Sequence, residues 1–123
     1  MNPLSKNTDL MKKVEKGWGH ELWIHNDEEY CGKLLYFNKG KKCSLHYHDL
    51  KKETFYIQSG KLECTFYHLD NPDQKTTVIL EEGDSKEIPR RLVHQMKALE
   101  DTVMFEFSTQ HFDEDSIRIE KGD

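Results

Sequence analysis

"GKKCSLHYHDLKKETFYIQSG", from Gly40 to Gly60, is the stretch on which the reading of the fold turns. Two runs rich in aromatic and β-branched residues, "CSLHYH" and "ETFYIQ", flank a polar turn at Asp49–Lys52. Such runs read as short strands. Successive side chains alternate across a strand, so Ser44, His46 and His48 share one face, while Cys43, Leu45 and Tyr47 take the other. Two imidazoles two residues apart then point the same way, at a reach suited to one metal ion. Glu53 opens the second strand and faces the same space once the turn reverses the chain. An H-x-H pair alone is common by chance. The weight lies in the whole spacing and in a further histidine downstream.

The same pattern extends outward in both directions. Glycine, proline and Asn/Asp punctuation recurs at Gly17–Gly19, Asn26–Asp27, Asn38–Gly40, Ser59–Gly60, Asp70–Asp73, Glu82–Asp84, Pro89 and Glu100–Asp101. Between these points lie "ELWIH", "CGKLLYF", "KLECTFYH", "TTVIL" and "TVMFEFST", all of strand composition. Residues 69–75, "LDNPDQK", read as a hairpin loop turning at Pro72. Helical periodicity is confined to residues 4–13 and 112–118. About eight or nine short strands with tight turns predict an all-β sandwich, jelly roll or closed barrel.

Composition sets the outer limits. A chain of 123 residues fits one domain with a single core. Its net charge of -5 disfavours a general nucleic-acid binder. No apolar run approaches the roughly 20 residues of a membrane span, and "MNPLSKNTDLMKKVEKGWGHELW" lacks the apolar centre of a signal peptide. Cys31, Cys43 and Cys64 are odd in number and form no CxxC pair, which suits reduced, buried thiols in a cytoplasmic protein. Residues 1–13 read as a solvated leader and 14–123 as the folded domain.

The spacing from Gly40 to Gly60 resembles the first motif of the cupin superfamily: glycine, five residues, H-x-H, three or four residues, glutamate, six residues, glycine. Gly40, His46, His48, Glu53 and Gly60 complete it. "GDSKEIPRRLVHQMKA" is similar to the second motif, with Gly83, Pro89 and His94 in place. Arg91 stands where that motif has its second glycine, and Ala98 where it has asparagine. The resemblance implies a jelly-roll barrel (a double-stranded β-helix) with a metal at its centre, held by His46, His48, Glu53 and His94. That donor set suits a divalent first-row ion such as zinc, nickel, manganese or iron, and it leaves positions open for substrate.

Within the superfamily, the chain from about Val14 to Ile119 looks most like the cupin part of type II mannose-6-phosphate isomerases. "VEKGWGHELWI", the Gly40–Gly60 register and "FEFSTQHFDEDSIRI" carry that likeness. It departs at His46, where the isomerases commonly have glutamine. The likeness implies a metal-dependent enzyme acting on a sugar or sugar phosphate as an isomerase or epimerase. An iron-dependent dioxygenase and a non-catalytic sugar-binding module stand as alternatives. Lys33, on an early strand, is the candidate acid or base. Arg90 and Arg91 are candidates to hold an anionic group, since guanidinium suits phosphate; Arg118 is a weaker one. His20, His25, His68 and His111 match no ligand spacing. A homodimer is the expected assembly, because cupin barrels often pair through their outer strands.

Overall fold

The computed structural model describes residues 3–123. Among the described residues, eleven strands form two antiparallel sheets, and the helical residues are limited to two 3-10 turns, Thr8–Leu10 and Asp113–Asp115. The six-stranded sheet runs β1 (Lys12–Lys16), β2 (Gly19–Asn26), β3 (Cys31–Phe37), β10 (Thr102–Ser108), β5 (Glu53–Ser59), β8 (Ser85–Ile88). The five-stranded sheet runs β11 (Ile117–Glu120), β4 (Leu45–Tyr47), β9 (Leu92–Ala98), β6 (Lys61–His68), β7 (Thr76–Glu81). This is the jelly-roll barrel expected of the sequence. Lys12 and Lys13, within the stretch read as a leader, stand in β1 and pair with Trp23 and Leu22 of β2. Met1 and Asn2 of that leader lie outside the described residues.

Alternation along the strands builds the interior. In β3 the buried positions are Cys31, Lys33, Leu35 and Phe37; in β5 they are Glu53, Phe55 and Ile57; in β10 they are Thr102, Met104 and Glu106. Register aligns them in rows. Met104 sits opposite both Leu35 and Ile57, while Glu106 sits opposite Lys33 and Phe55. One end of the barrel is therefore apolar and the other charged. The apolar end is closed by Trp18, stacked on Phe37 at 4.3 Å, with Leu62, Leu80, Ile88 and Ala98. A smaller cluster of Leu45, Tyr67 and Val93 packs on the far side of the five-stranded sheet.

Two turns show why particular residue types stand where they do. Gly60, between β5 and β6, has φ +99°, and a Cβ there would collide with the Asp101 carbonyl and Thr102. Arg91 precedes β9 with φ 69°, alone among the described non-glycine residues in having positive φ. The turn thus keeps the left-handed backbone that the motif normally assigns to glycine, although an arginine occupies it.

Strand alternation does not extend back to Cys43. The strand begins at Leu45, and the irregular backbone before it turns Cys43 into the main core rather than to the side of Leu45 and Tyr47. All three cysteines are free and buried.

Candidate metal centre

His46 lies in β4, and His48 lies just past its end. His94 lies in β9 directly opposite His46. Glu53 is the first residue of β5. The structure brings all four to the charged end of the barrel. One ring nitrogen from each histidine lies within 4.8 Å of the others. Glu53 Oε2 is 3.3 Å from His94 Nε2 and 3.5 Å from His48 Nε2.

Each ring is oriented through its other nitrogen. The Nδ1–H of His46 donates to the Ser44 carbonyl (2.9 Å), that of His48 to the Asp115 carbonyl (3.0 Å), and that of His94 to the Leu92 carbonyl (2.9 Å). An imidazole whose Nδ1 carries the proton presents a bare lone pair at Nε2, the form in which histidine binds a metal. Burial, reinforced by the neighbouring His94, pushes His46 down to about 3. Burial, with Lys51 and the other two rings, takes His48 to about 2. Both rings are accordingly neutral across the physiological range.

Among the described residues, two buried side-chain polar atoms lack a hydrogen-bond partner: Glu53 Oε2 and His94 Nε2. Buried polar atoms are rarely left so, because the desolvation cost of each is about 1–3 kcal/mol. The two face each other across the same point. An ion there would take a lone pair from each, so the donor set and the orphaned atoms both fit a divalent metal. Cys43 also lines the cavity, but burial pushes its thiol up to about 12, and it serves as packing rather than as a thiolate.

The centre opens into a cavity of about 600 Å³. Lys33 lines it, almost wholly buried, with its Nζ 3.5 Å from Glu21 Oε1 and 4.1 Å from the centre of the Trp23 ring. Lys16, Arg118 and Lys121 also face the cavity, and Arg118 stands opposite His46 in register. Arg90 and Arg91 are placed elsewhere. They are exposed residues of the turn before β9 and are not among the cavity's lining. The Nε–H of Arg90 donates to the Leu50 carbonyl, and Arg91 pairs with Asp49 at 3.4 Å.

A second buried polar group adjoins these four residues and had no signal in the spacing. Lys51 Nζ reaches Glu53 Oε1 (3.3 Å), Glu106 Oε2 (3.1 Å) and His111 Nδ1 (3.0 Å). Burial opposes the Lys51 charge, but Glu106 and Glu53 outweigh it and hold the ammonium above its ordinary range. Burial likewise favours a protonated Glu106, yet Lys51 and Lys33 hold it well below the usual carboxylate range. His111, which matches no ligand spacing, is a cavity residue. Asp115 completes the surround: its carboxylate accepts the backbone N–H groups of Asp49, Leu50 and Lys51. Glu106 was legible in part, as a charge at an inward position of the apolar strand "TVMFEFS".

Comparison with known proteins bears on what such a centre belongs to. The cupin domain family matches residues 33–109, more than half of the chain. The chain is a cupin. A search of curated proteins finds no match. Among solved structures, this cupin is similar to the capsular polysaccharide assembling protein CapF from Staphylococcus aureus, with TM-score 0.79 and 20% identity over 94% of this chain and 34% of that one. It is also similar to oxalate decarboxylase from Bacillus subtilis, with TM-score 0.78 and 16% identity over 89% of this chain and 30% of that one. The cupin spans about a third of the length of either protein. At such identities the likeness is one of fold.

Proposed function

We propose that this cupin binds one divalent first-row metal through His46, His48, Glu53 and His94, and acts with it on a sugar or sugar phosphate in an isomerase- or epimerase-like reaction. The observation that carries the metal is the meeting of two partnerless buried atoms, Glu53 Oε2 and His94 Nε2, beside His46 and His48. When bound, the metal supplies Lewis-acid polarisation of a substrate carbonyl or hydroxyl. Manganese is a reasonable choice among the first-row ions, since one of the oxalate decarboxylase structures is described by its Mn(II) centres. The sugar reading draws on the likeness to type II mannose-6-phosphate isomerases and on the polysaccharide assembly named for CapF.

In this reading Lys33 moves the proton. Its Nζ faces the cavity beside the Trp23 ring with one hydrogen bond, a long one to Glu21, so an N–H remains free to meet a substrate oxygen. An anionic group on the substrate would meet Lys16, Arg118 and Lys121 at the cavity, rather than Arg90 and Arg91, which are held by Leu50 and Asp49. We also propose a homodimer, formed through the outer face of the six-stranded sheet. Phe107 and Tyr56 are exposed there, and Phe105 lies between them at the same sheet surface. The working compartment in this reading is the cytoplasm; no helix among the described residues is long and apolar enough to cross a membrane.

Metal titration tests the reading. The parent is expected to bind one Mn(II) or Zn(II) per chain, and to gain about 2.7 kcal/mol of stability at a metal concentration 100 times Kd. His48→Ala and His94→Ala should lose both effects. A parent that holds no metal after reconstitution rules the reading out. Solvent deuterium entering a sugar phosphate would mark the isomerase, and metal-dependent oxygen consumption the dioxygenase. Sugar binding without either would mark the non-catalytic module.

A further inference from the structure

Lys51 is buried, and its ammonium meets three side chains. Its Nζ hydrogen-bonds Glu106 Oε2 and His111 Nδ1 and forms an ion pair with Glu53 Oε1. Because an ammonium only donates, His111 must accept at Nδ1. Its Nε2–H then donates to Asp113 Oδ1 at 2.9 Å. Glu106 Oε2 also accepts from the Ser108 hydroxyl at 3.2 Å. Every member has its partner, and the group ends on one oxygen of Glu53 while the other oxygen faces the histidines without one.

We propose that Lys51 is a positioning residue that makes Glu53 a one-oxygen ligand, holding Oε1 away so that Oε2 alone faces the ion. The inference rests on the metal reading above. A carboxylate can ligate through one oxygen or two. Three imidazoles and one carboxylate oxygen leave about two positions of an octahedral ion open, whereas a two-oxygen Glu53 leaves about one. Lys51 therefore determines whether a substrate can chelate the ion with two of its own oxygens. Adjacent hydroxyl and carbonyl groups of a sugar, or a 2-hydroxy acid, are ligands of that class.

The test uses Lys51→Met combined with Glu106→Gln. The pair removes one positive and one negative charge together, so the net charge near the ion is unchanged and Glu106 is not left as a buried, unpaired carboxylate, while Glu53 Oε1 is released. Both proteins are loaded with Mn(II), and bound waters are counted by electron paramagnetic resonance in 17O-water. The parent is expected to show about two waters and the double variant about one. An identical count and spectrum in the two proteins overturns the proposal while leaving the metal site standing. A parent that takes up no Mn(II) overturns the metal reading and this inference with it. Infrared difference spectra of the unaltered protein, labelled with 13C-glutamate, give a second measure that does not depend on the variant folding. A wide splitting of the carboxylate stretches on adding Mn(II) is expected, and the narrow splitting of a two-oxygen ligand overturns the assignment.

Discussion

The two ends of the barrel are built from the same strands and behave differently. Along β3 the inward positions pass from Lys33 to Leu35 and Phe37, and along β5 from Glu53 to Phe55 and Ile57. At the apolar end, Ile57, Leu62, Ala98 and Met104 have no accessible surface. Apolar side chains need shape and volume, and any neighbour of the right size serves. At the charged end, each group needs an opposite number in a particular place. Lys51 and Glu106 find theirs within the chain. Glu53 and His94 find theirs only in part, and there the cavity opens. Strand alternation alone does not separate a core from a site; the accounting of partners does.

Breaking the satisfied pair should have the largest effect on the fold. Lys51→Met alone leaves Glu106 buried and short of its main partner. A loss of about 3–5 kcal/mol is expected, read from urea unfolding of the metal-free protein. A change below about 1 kcal/mol would mean that the charged end tolerates unpaired groups, and the contrast between the two ends would fail.

Acid should expose the same contrast. His46 and His48 are held near 3 and 2 in the folded chain, against about 6.5 in the unfolded one. Between those values the unfolded chain binds protons that the folded chain does not. Stability is therefore full above about pH 6.5 and falls as pH drops below it, by up to about 1.4 kcal/mol per pH unit for each ring. Unfolding midpoints of the metal-free protein between pH 7 and 5 would show the slope. A flat profile would place protonated rings inside the fold.

The smallest effect is expected at the turn outside the cavity. Arg91→Gly relieves a left-handed arginine and loses only an exposed pair with Asp49. A net gain of a few tenths to about 1 kcal/mol is expected, with metal affinity unchanged. A drop in metal affinity or in phosphosugar binding would return Arg91 to the site.

Much of the fold was legible because glycine and Asn/Asp turns separate runs of strong strand composition. The strands that escaped notice are those whose composition argues against them. "KKVEK", "SKEI" and "IRIE" are short and charged, and "LVHQMKA" interleaves polar residues with its apolar ones. They form because they pair with stronger neighbours, as β8 does with β5. The shared direction of His46, His48 and Glu53 was legible from strand alternation and the turn between them, whereas His94 joined them only through what the cupin resemblance implies. Lys51 was not, because it sits in a turn where a lysine is unremarkable, and only the folded chain brings Glu106 and His111 against it. Arg91 was legible as a departure from glycine, but its side-chain direction depends on Asp49 and the backbone of the turn, which spacing does not encode.

The hydrogen bond from His48 to the Asp115 carbonyl joins residues 67 positions apart. During synthesis the chain leaves the ribosome from its beginning. His46, His48, Glu53 and His94 thus all emerge before the residue that orients one of them and braces the 49–51 loop. Until Asp115 arrives, the His48 ring lacks the acceptor that fixes its proton on Nδ1. A fully oriented set of donors therefore forms only after Asp115 has been made, later than any of the four donor residues themselves.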